Sequence, residues 1–166
     1  MWFNSKEELV RIVNKAKLSK GLIDWRGSHI FVIFSPIITR THGNEILASK
    51  TALKIFEDLN EHNRKFSDKI QFNIGIHAGD LVVSKENNKL KYTGMGNTVA
   101  LARRMADSDL NRLLVTEEIR KKMLRDMRSV RSKEINKYPI YSVTGIRNTD
   151  ADKAKLKDLL DRMDKG

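Results

Sequence analysis

The sequence predicts an α/β sandwich in which helices cover a mixed sheet. Apolar residues alternate over residues 72 to 76, which is typical of a half-buried strand, whereas residues 45 to 65 show the longer period of an amphipathic helix. Several such strand and helix signals follow one another along the chain. Alternation of this kind is typical of a domain in which helices pack against a sheet.

Composition limits the class of protein. The chain has 166 residues, of which 40% are apolar and 32% charged, enough for one domain with its own core. No apolar run approaches the roughly 20 residues needed to cross a bilayer, and the N-terminus lacks the pattern of a signal peptide. The absence of cysteine excludes disulfides and thiolate metal sites. We therefore expect a cytoplasmic protein.

Breaks in periodicity predict the order of the elements. A helix over residues 6 to 19 is expected to end at Gly21, and a β-hairpin follows around Arg26-Gly27-Ser28. After the helix over 45 to 65, a strand over 72 to 76 leads to a second hairpin and then to a helix that begins at Asn97 or Thr98. The remaining predicted elements are a strand over 113 to 116, a basic helix over 117 to 128, a hairpin or edge strand over 135 to 144 broken by Pro139, and a terminal helix over 151 to 164.

Residues 72 to 105 carry the most specific pattern, FNIGIHAGDLVVSKENNKLKYTGMGNTVALARRM. Its order of strand, IGIH segment, hairpin, Gly-rich elbow and helix resembles the class III adenylate/guanylate cyclase catalytic domain. The resemblance covers about residues 20 to 146. It implies a ferredoxin-like or palm-type fold with a mixed, mainly antiparallel sheet covered by helices. We expect a cyclase-homology domain over residues 1 to 146, with residues 147 to 166 forming a C-terminal helix that packs on it or trails it.

The resemblance implies two metal-binding aspartates, and this sequence lacks both. One aspartate belongs to a Gly-Asp turn on the first hairpin, where this chain has Gly27-Ser28. The other belongs to a first strand, which is expected to be absent because the residues before the hairpin are predicted to be helical. A weaker alternative aligns residues 34 to 38 with that strand and places Pro36 at the aspartate position. The four histidines have no metal-ligand spacing. We predict no metal site, with Mg²⁺ or Mn²⁺ bound only if a partner supplies the ligands.

Loss of the first strand leaves a gap in the expected sheet. An open gap would expose unpaired backbone groups. Three solutions are expected: the other strands close up, residues 1 to 4 fill the gap, or a neighbouring chain contributes.

This chain also lacks one of the two side chains with which the family donates hydrogen bonds to the transition state. The family uses an asparagine and an arginine of the helix after the elbow, and this chain has Ala100 and Arg104 at those positions. Alanine donates no hydrogen bond, and loss of one such donor typically lowers turnover by about 100- to 1000-fold. We therefore expect the chain to be catalytically inactive alone, with Arg104 vestigial.

The family positions that select the purine are Asp24 and Thr93. A carboxylate with a hydroxyl is closer to the family's guanine-reading pair than to its adenine pair. Alternatively, Asp24 caps a strand end and Thr93 is an ordinary strand residue. Gly94, Gly96 and Asn97 form the elbow, where backbone N–H groups and a helix N-terminus could bind phosphate. A tight strand-to-helix turn would need the same glycines.

The net charge of +11 suggests a polyanionic partner. Residues 119 to 133 carry seven basic residues and one acidic residue, and the predicted basic patch comprises Arg120, Lys121, Arg125 and Arg128. These residues could instead form a solvated helix face, and no aromatic residues alternate with them for base stacking.

These observations predict a catalytically degenerate cyclase-like domain with a regulatory, dimerisation or nucleotide-sensing role, working as a homodimer or with a cyclase-like partner. Two alternatives remain. One is a subunit of a purine nucleotide cyclase that needs a metal-bearing partner, and the other is a basic nucleic-acid-binding module.

Overall fold

A computed structural model of the chain describes residues 2–3, 6–87, 89–94 and 97–147. The elements are, in order, β1 (Trp2–Phe3), α1 (Lys6–Leu18), β2 (Leu22–Arg26), β3 (His29–Ile33), α2 (Pro36–Thr39), α3 (Asn44–Lys65), β4 (Phe72–Ile76), β5 (Leu81–Glu86), β6 (Lys89–Gly94), α4 (Thr98–Ser108), β7 (Arg112–Thr116), α5 (Glu117–Lys122), β8 (Met127–Ile135) and β9 (Tyr138–Ile146). The predicted terminal helix lies outside the described residues. No helix in the described ranges is long and apolar enough to cross a bilayer.

The main sheet has five strands in the order β1-β4-β7-β9-β8. β4 and β7 are parallel, whereas the β1–β4, β7–β9 and β8–β9 pairs are antiparallel. Helices α3 and α5 cover one face of the sheet, and α4 packs against the other. The predicted mixed, mainly antiparallel sheet covered by helices is confirmed.

Strand β1 is a two-residue strand at the edge of this sheet. Trp2 pairs with Asn73 and Phe3 with Phe72, both antiparallel. Residues 2 and 3 thus occupy the outer edge of β4, which is one of the three expected solutions to a missing first strand. They pair with only two of the five residues of β4.

The two other pairs of strands form separate two-stranded sheets, β2–β3 and β5–β6. Gly27 sits at the turn of the first hairpin with φ of +60°, a conformation that glycine adopts without a steric penalty. The β2–β3 hairpin was predicted from the sequence and is confirmed. Among the described residues, neither pair shares a hydrogen-bonded ladder with the main sheet.

The core is divided by the main sheet. Phe72, Ile74 and Ile76 point toward α3, where Phe56 meets Phe72 edge-on with ring centroids 5.9 Å apart. On the opposite face, α4 contributes a smaller cluster made of Leu101, Met105, Leu114 and Ile140. Gly75 lies between β4 and α4, and a Cβ there would lie 2.6 Å from the Ala102 carbonyl oxygen. The bare backbone of Gly75 therefore lets α4 approach the sheet closely.

The predicted helix over residues 117 to 128 is wrong in its second half. α5 ends at Lys122, and a turn follows in which the Asp126 N–H donates to the Met123 carbonyl. Met123 and Met127 are both buried, at 0% and 2% exposure. Met127, however, begins strand β8. Two apolar side chains four residues apart can therefore both reach the core from a helix or across a tight turn, so this spacing alone does not predict a helix.

The predicted break at Pro139 is also wrong, because Pro139 lies inside β9 opposite Glu134. The ladder between β7 and β9 begins only at Ile140, so on that side Pro139 needs no N–H. The β8–β9 turn consists of Asn136 and Lys137, both with positive φ (51° and 67°), which is the geometry of a type I′ turn.

Candidate functional site

A cleft of about 720 Å³ lies between the β2–β3 and β5–β6 hairpins. Asp24 on β2 and Thr93 on β6 both line it, so the structure brings the two predicted purine-reading positions to one site. The other lining residues are Leu22, Ile23, Arg26, Glu86, Asn87, Lys91 and Tyr92. The cleft is large enough for a nucleotide-sized ligand.

Arg26 connects the two walls of this cleft. Its Nε and Nη2 both lie 2.8 Å from Oδ2 of Asp24, and Nη2 also donates to the Tyr92 carbonyl at 3.0 Å. The Tyr92 side chain is buried, and its hydroxyl lies 3.0 Å from the Ser35 hydroxyl. Arg26 was not predicted as a site residue. Its position two residues after Asp24 could have indicated it, because strand residues two apart point to the same face.

The tip of the first hairpin has a hydroxyl at the position where the resemblance implies a metal-binding carboxylate. Ser28 Oγ lies 3.3 Å from Nδ1 of His29, and His29 Nε2 lies 2.5 Å from Oδ1 of Asp107 on α4. His29 is only 5% exposed, whereas the Asp107 side chain is 49% exposed. His29 was not predicted as a functional residue, and nothing in its local sequence indicates Asp107 as its partner.

The donor set at this tip does not suit a divalent metal ion. Mg²⁺ and Mn²⁺ prefer several carboxylate oxygens at fixed positions. Ser28 offers a neutral hydroxyl, and the nearby Asp107 carboxylate is occupied by His29 and, at 3.7 Å, by Arg103. In the part of the chain that the structure describes, no group of three or more His, Asp or Glu side chains could surround a metal ion.

Helix α4 carries the two positions to which the resemblance assigns the transition-state donors. Ala100 and Arg104 are both exposed, and the Arg104 guanidinium donates to the side-chain oxygen of Asn136 in the β8–β9 turn. Arg104 does not line the cleft of Asp24 and Thr93. The structure therefore does not bring this arginine together with the predicted purine-reading residues.

The elbow before α4 is only partly described. Gly94 ends β6 opposite Leu81, and Asn97 precedes the first residue of α4. The Asn97 side chain makes no capping hydrogen bond, although its carbonyl accepts from the Leu101 N–H at 2.7 Å. Gly96 lies outside the described residues. The predicted phosphate-binding role of Gly94, Gly96 and Asn97 stays a prediction.

The predicted basic patch is distributed over three different pieces of structure. Arg120 and Lys121 lie on α5, Arg125 lies in the following turn, and Arg128 lies on β8. Arg120 stacks its guanidinium 4.6 Å from the centre of the Tyr141 ring, and its Nε is buried. Lys121 lies 3.6 Å from Glu117 on the same helix. The expectation of one basic helix that presents all four residues is therefore wrong.

One ion pair connects the start of α3 to α5. Glu45 accepts a hydrogen bond from Lys122, which lowers the pKa of Glu45 and raises the pKa of Lys122. Lys122 also lies 3.6 Å from Glu118. Another cation of the basic segment is thus neutralised locally.

Comparison with protein-family models gives a match to the adenylate and guanylate cyclase catalytic domain over residues 22–150. The chain belongs to this cyclase family. The match spans most of the chain and includes both hairpins, the cleft between them and helix α4. A comparison with curated protein sequences gave no match.

Solved structures of cyclase domains share the fold of this family member. The dimeric guanylyl cyclase domain of the RhoGC fusion protein from Blastocladiella emersonii has a TM-score of 0.68 and 16% identity, with 85% of this chain and 81% of that chain covered. The adenylyl cyclase CyaB from P. aeruginosa has a TM-score of 0.67 and 16% identity, with 86% and 81% covered. The guanylate cyclase domain of RhGC from Catenaria anguillulae, in complex with GTP, has a TM-score of 0.64 and 16% identity, with 87% of each chain covered.

Proposed function

We propose that this cyclase-family domain is catalytically inactive alone and acts as a regulatory, nucleotide-sensing module that pairs with a second copy or with a cyclase-like partner. The observation that carries the proposal is the hairpin tip, where Ser28 and the His29–Asp107 pair stand in place of a metal-binding carboxylate. Ring closure of a nucleoside triphosphate needs metal ions to activate the hydroxyl nucleophile and to neutralise phosphate charge.

The second line of support is helix α4. Ala100 is exposed and cannot donate a hydrogen bond to a phosphate oxygen, so a substrate would lose that donor even if a partner supplied metal. Two separate parts of the catalytic apparatus are thus weakened in one chain. A regulatory role that depends only on nucleotide binding needs neither the metal-binding carboxylate nor this donor.

The cleft supports the nucleotide-sensing role. Both contacts from Arg26 fall on Oδ2 of Asp24, which leaves Oδ1 as the acceptor that N1–H or N2–H of guanine would use. The exposed hydroxyl of Thr93 could donate to O6 of the same base. The related domain from Catenaria anguillulae was solved in complex with GTP. GTP is therefore the first ligand to test.

A thermal-shift titration with GTP and ATP, with and without Mg²⁺, tests the sensing role. Ligand that binds the folded state raises the apparent melting temperature by mass action. We expect GTP to stabilise the chain without metal and to do so more than ATP. Asp24→Ala should remove this stabilisation, whereas Asp80→Ala, which changes an exposed aspartate outside the cleft, should keep it. Equal responses of the two variants would refute the role of Asp24.

A cyclase assay with GTP or ATP and Mn²⁺ tests inactivity. The lone chain should form no cyclic nucleotide, and any turnover by the purified chain would overturn this part of the proposal. The exposed Arg104 and the Gly27-Ser28 turn favour one second candidate function, a subunit that becomes active with a metal-bearing cyclase partner. Turnover that requires both chains and is lost with Arg104→Ala would establish that alternative.

A further inference from the structure

The guanidinium of Arg26 is held at three points. Its Nε and Nη2 lie 2.8 Å from Oδ2 of Asp24, two residues earlier on the same strand. Its Cζ lies 5.4 Å from the centre of the Phe31 ring, and Phe31 pairs with Asp24 across the β2–β3 hairpin. Nη2 also donates to the Tyr92 carbonyl on β6 at 3.0 Å. A planar guanidinium with several donors can make such contacts together, whereas a lysine ammonium acts as a point charge.

The acceptor on β6 belongs to the peptide that joins Tyr92 to Thr93. Because a peptide unit is planar, a bond to the Tyr92 carbonyl also restrains the backbone that carries the Thr93 side chain. One guanidinium thus contacts the carboxylate of one predicted purine-reading position and the backbone of the other. Among the described strands, β2 and β6 belong to different sheets, so backbone pairing does not set the spacing between Asp24 and Thr93.

The anchor on β6 is fixed from its other end. Tyr92 is 4% exposed, and its hydroxyl lies 3.0 Å from the hydroxyl of Ser35, which precedes α2. Since buried polar groups are held by hydrogen bonds, Tyr92 offers Arg26 an acceptor in a fixed position. The Arg26 side chain is 42% exposed and is not held by burial. Its position therefore depends on its contacts with Asp24, Phe31 and Tyr92.

We propose that Arg26 is a positioning residue for the purine base, which sets the spacing and orientation of Asp24 and Thr93 without contacting the base. This inference rests on the nucleotide-sensing role proposed above. A site with fixed donors and acceptors rejects a base that leaves them unpaired, so selection of guanine requires that this spacing is kept. Without Arg26 the Asp24 carboxylate can rotate, and the bond between the two hairpins is lost. The cleft should then accept guanine and adenine alike.

The ratio of GTP affinity to ATP affinity, measured by calorimetry on the full chain without metal, tests this role. Both ligands carry the same triphosphate, so the ratio separates base selection from the attraction between Arg26 and phosphate. The unmodified chain should prefer GTP by about tenfold or more, which corresponds to 1.4 kcal/mol. Arg26→Ala should bring the ratio near one. Arg26→Lys, which keeps the charge without the planar donors, should do the same.

The control for these measurements is Lys85→Ala, which removes an exposed cation of β5 that does not line the cleft and should keep the preference for GTP. A preference for GTP that survives in either Arg26 variant would overturn the positioning role. Absence of any preference in the unmodified chain would instead refute the nucleotide-sensing role.

A distance measurement tests the bond between the hairpins without nucleotide. The chain has no cysteine, so Trp25→Cys and Lys85→Cys place one spin label on each hairpin, at exposed positions outside the cleft lining. Trp25 neighbours Arg26, but successive strand residues point to opposite faces. Arg26→Ala should broaden the distribution of label distances measured by double electron–electron resonance. Lys54→Ala, at an exposed cation of α3, should not.

The two measurements separate the possible failures. An unchanged distance distribution in Arg26→Ala would overturn the proposal even if the chain binds GTP. A broadened distribution in a chain that does not prefer GTP would refute the sensing role, and the base-positioning role of Arg26 with it. A broadened distribution together with a loss of GTP preference in both Arg26 variants would establish the proposal.

Discussion

Nε2 of His29 lies 2.5 Å from Oδ1 of Asp107, and this contact attaches the tip of the first hairpin to helix α4. Because the imidazole is almost fully buried, removal of its partner leaves a buried polar atom unsatisfied. We expect Asp107→Ala to lower the free energy of unfolding by about 1–3 kcal/mol, measured by urea denaturation. Arg103→Ala, which removes only a 61% exposed cation beside the same carboxylate, should cost under about 1 kcal/mol. Similar losses in the two variants would contradict the importance of the His29 contact.

The close approach of α4 to the sheet predicts a sharp difference between two strand glycines. A Cβ at Gly75 would lie 2.6 Å from the Ala102 carbonyl oxygen and 2.8 Å from Met105 Cβ, whereas a Cβ at Gly145 would meet nothing within 4 Å. Gly75→Ala should therefore destabilise the chain by about 1–3 kcal/mol through overpacking. Gly145→Ala should be neutral or slightly stabilising. Thermal and urea unfolding of both variants check this expectation, which fails if Gly75→Ala is as stable as Gly145→Ala.

The environment of His77 predicts a dependence of stability on pH. Burial lowers the pKa of His77 below the ordinary value of 6.5, with the charge of Glu118 acting in the opposite direction. Between the lowered pKa and 6.5 the unfolded chain binds more protons than the folded chain, so stability rises with pH there. This contribution is complete above pH 6.5 and is lost as the pH falls through the folded pKa.

Urea midpoints between pH 7.5 and pH 5 measure the effect. His77→Gln should flatten the dependence in this range, while His42→Gln, at an exposed histidine, should preserve it. An unchanged slope in His77→Gln would show that other groups cause the dependence.

Restoration of single catalytic residues should not restore turnover. Ala100→Asn replaces an exposed residue, so it should cost under about 1 kcal/mol, mainly through lower helix propensity. Combined with Ser28→Asp, it returns one donor and one carboxylate, but the Asp107 carboxylate near the hairpin tip is already bound to His29. We expect no cyclic nucleotide from GTP or ATP with Mn²⁺. Product formed by the double variant alone would show that the remaining scaffold is catalytically competent.

Sequence patterns predicted most of the local elements because their signals are local. The alternation at 72 to 76, the hairpin at Gly27 and the long helix α3 all formed as expected. The end of α1 differs in detail, since Lys20 with φ of 60° takes the left-handed conformation, not Gly21. Gly21 is needed for packing instead, because a Cβ there would lie 2.5 Å from Val32 Cγ1. A glycine at a helix end can thus be required for close packing and not for a left-handed backbone, and the sequence alone does not distinguish the two.

The candidate site was predictable only in part. The family pattern pointed to Asp24 and Thr93, which line one cleft, and their purine-reading role stays a prediction. It gave no indication that His29 would contact Asp107, which is 78 positions away in sequence. Arg26 could have been found from its position two residues after Asp24 on the same strand. Counting charges also could not show that Arg120 packs on an aromatic ring or that Lys122 pairs with Glu45. Long-range partners of this kind depend on the tertiary arrangement.

The separation of the described strands into three sheets has a consequence for cooperativity. Both walls of the cleft belong to small hairpins that, in the part of the chain the structure describes, share no ladder with the five-stranded sheet. Such units can open by sub-global unfolding at a lower free energy than the whole domain. A molecule that bridges the two hairpins would therefore suppress these openings directly. Its binding would change the local order of the hairpins and leave the central sheet unchanged.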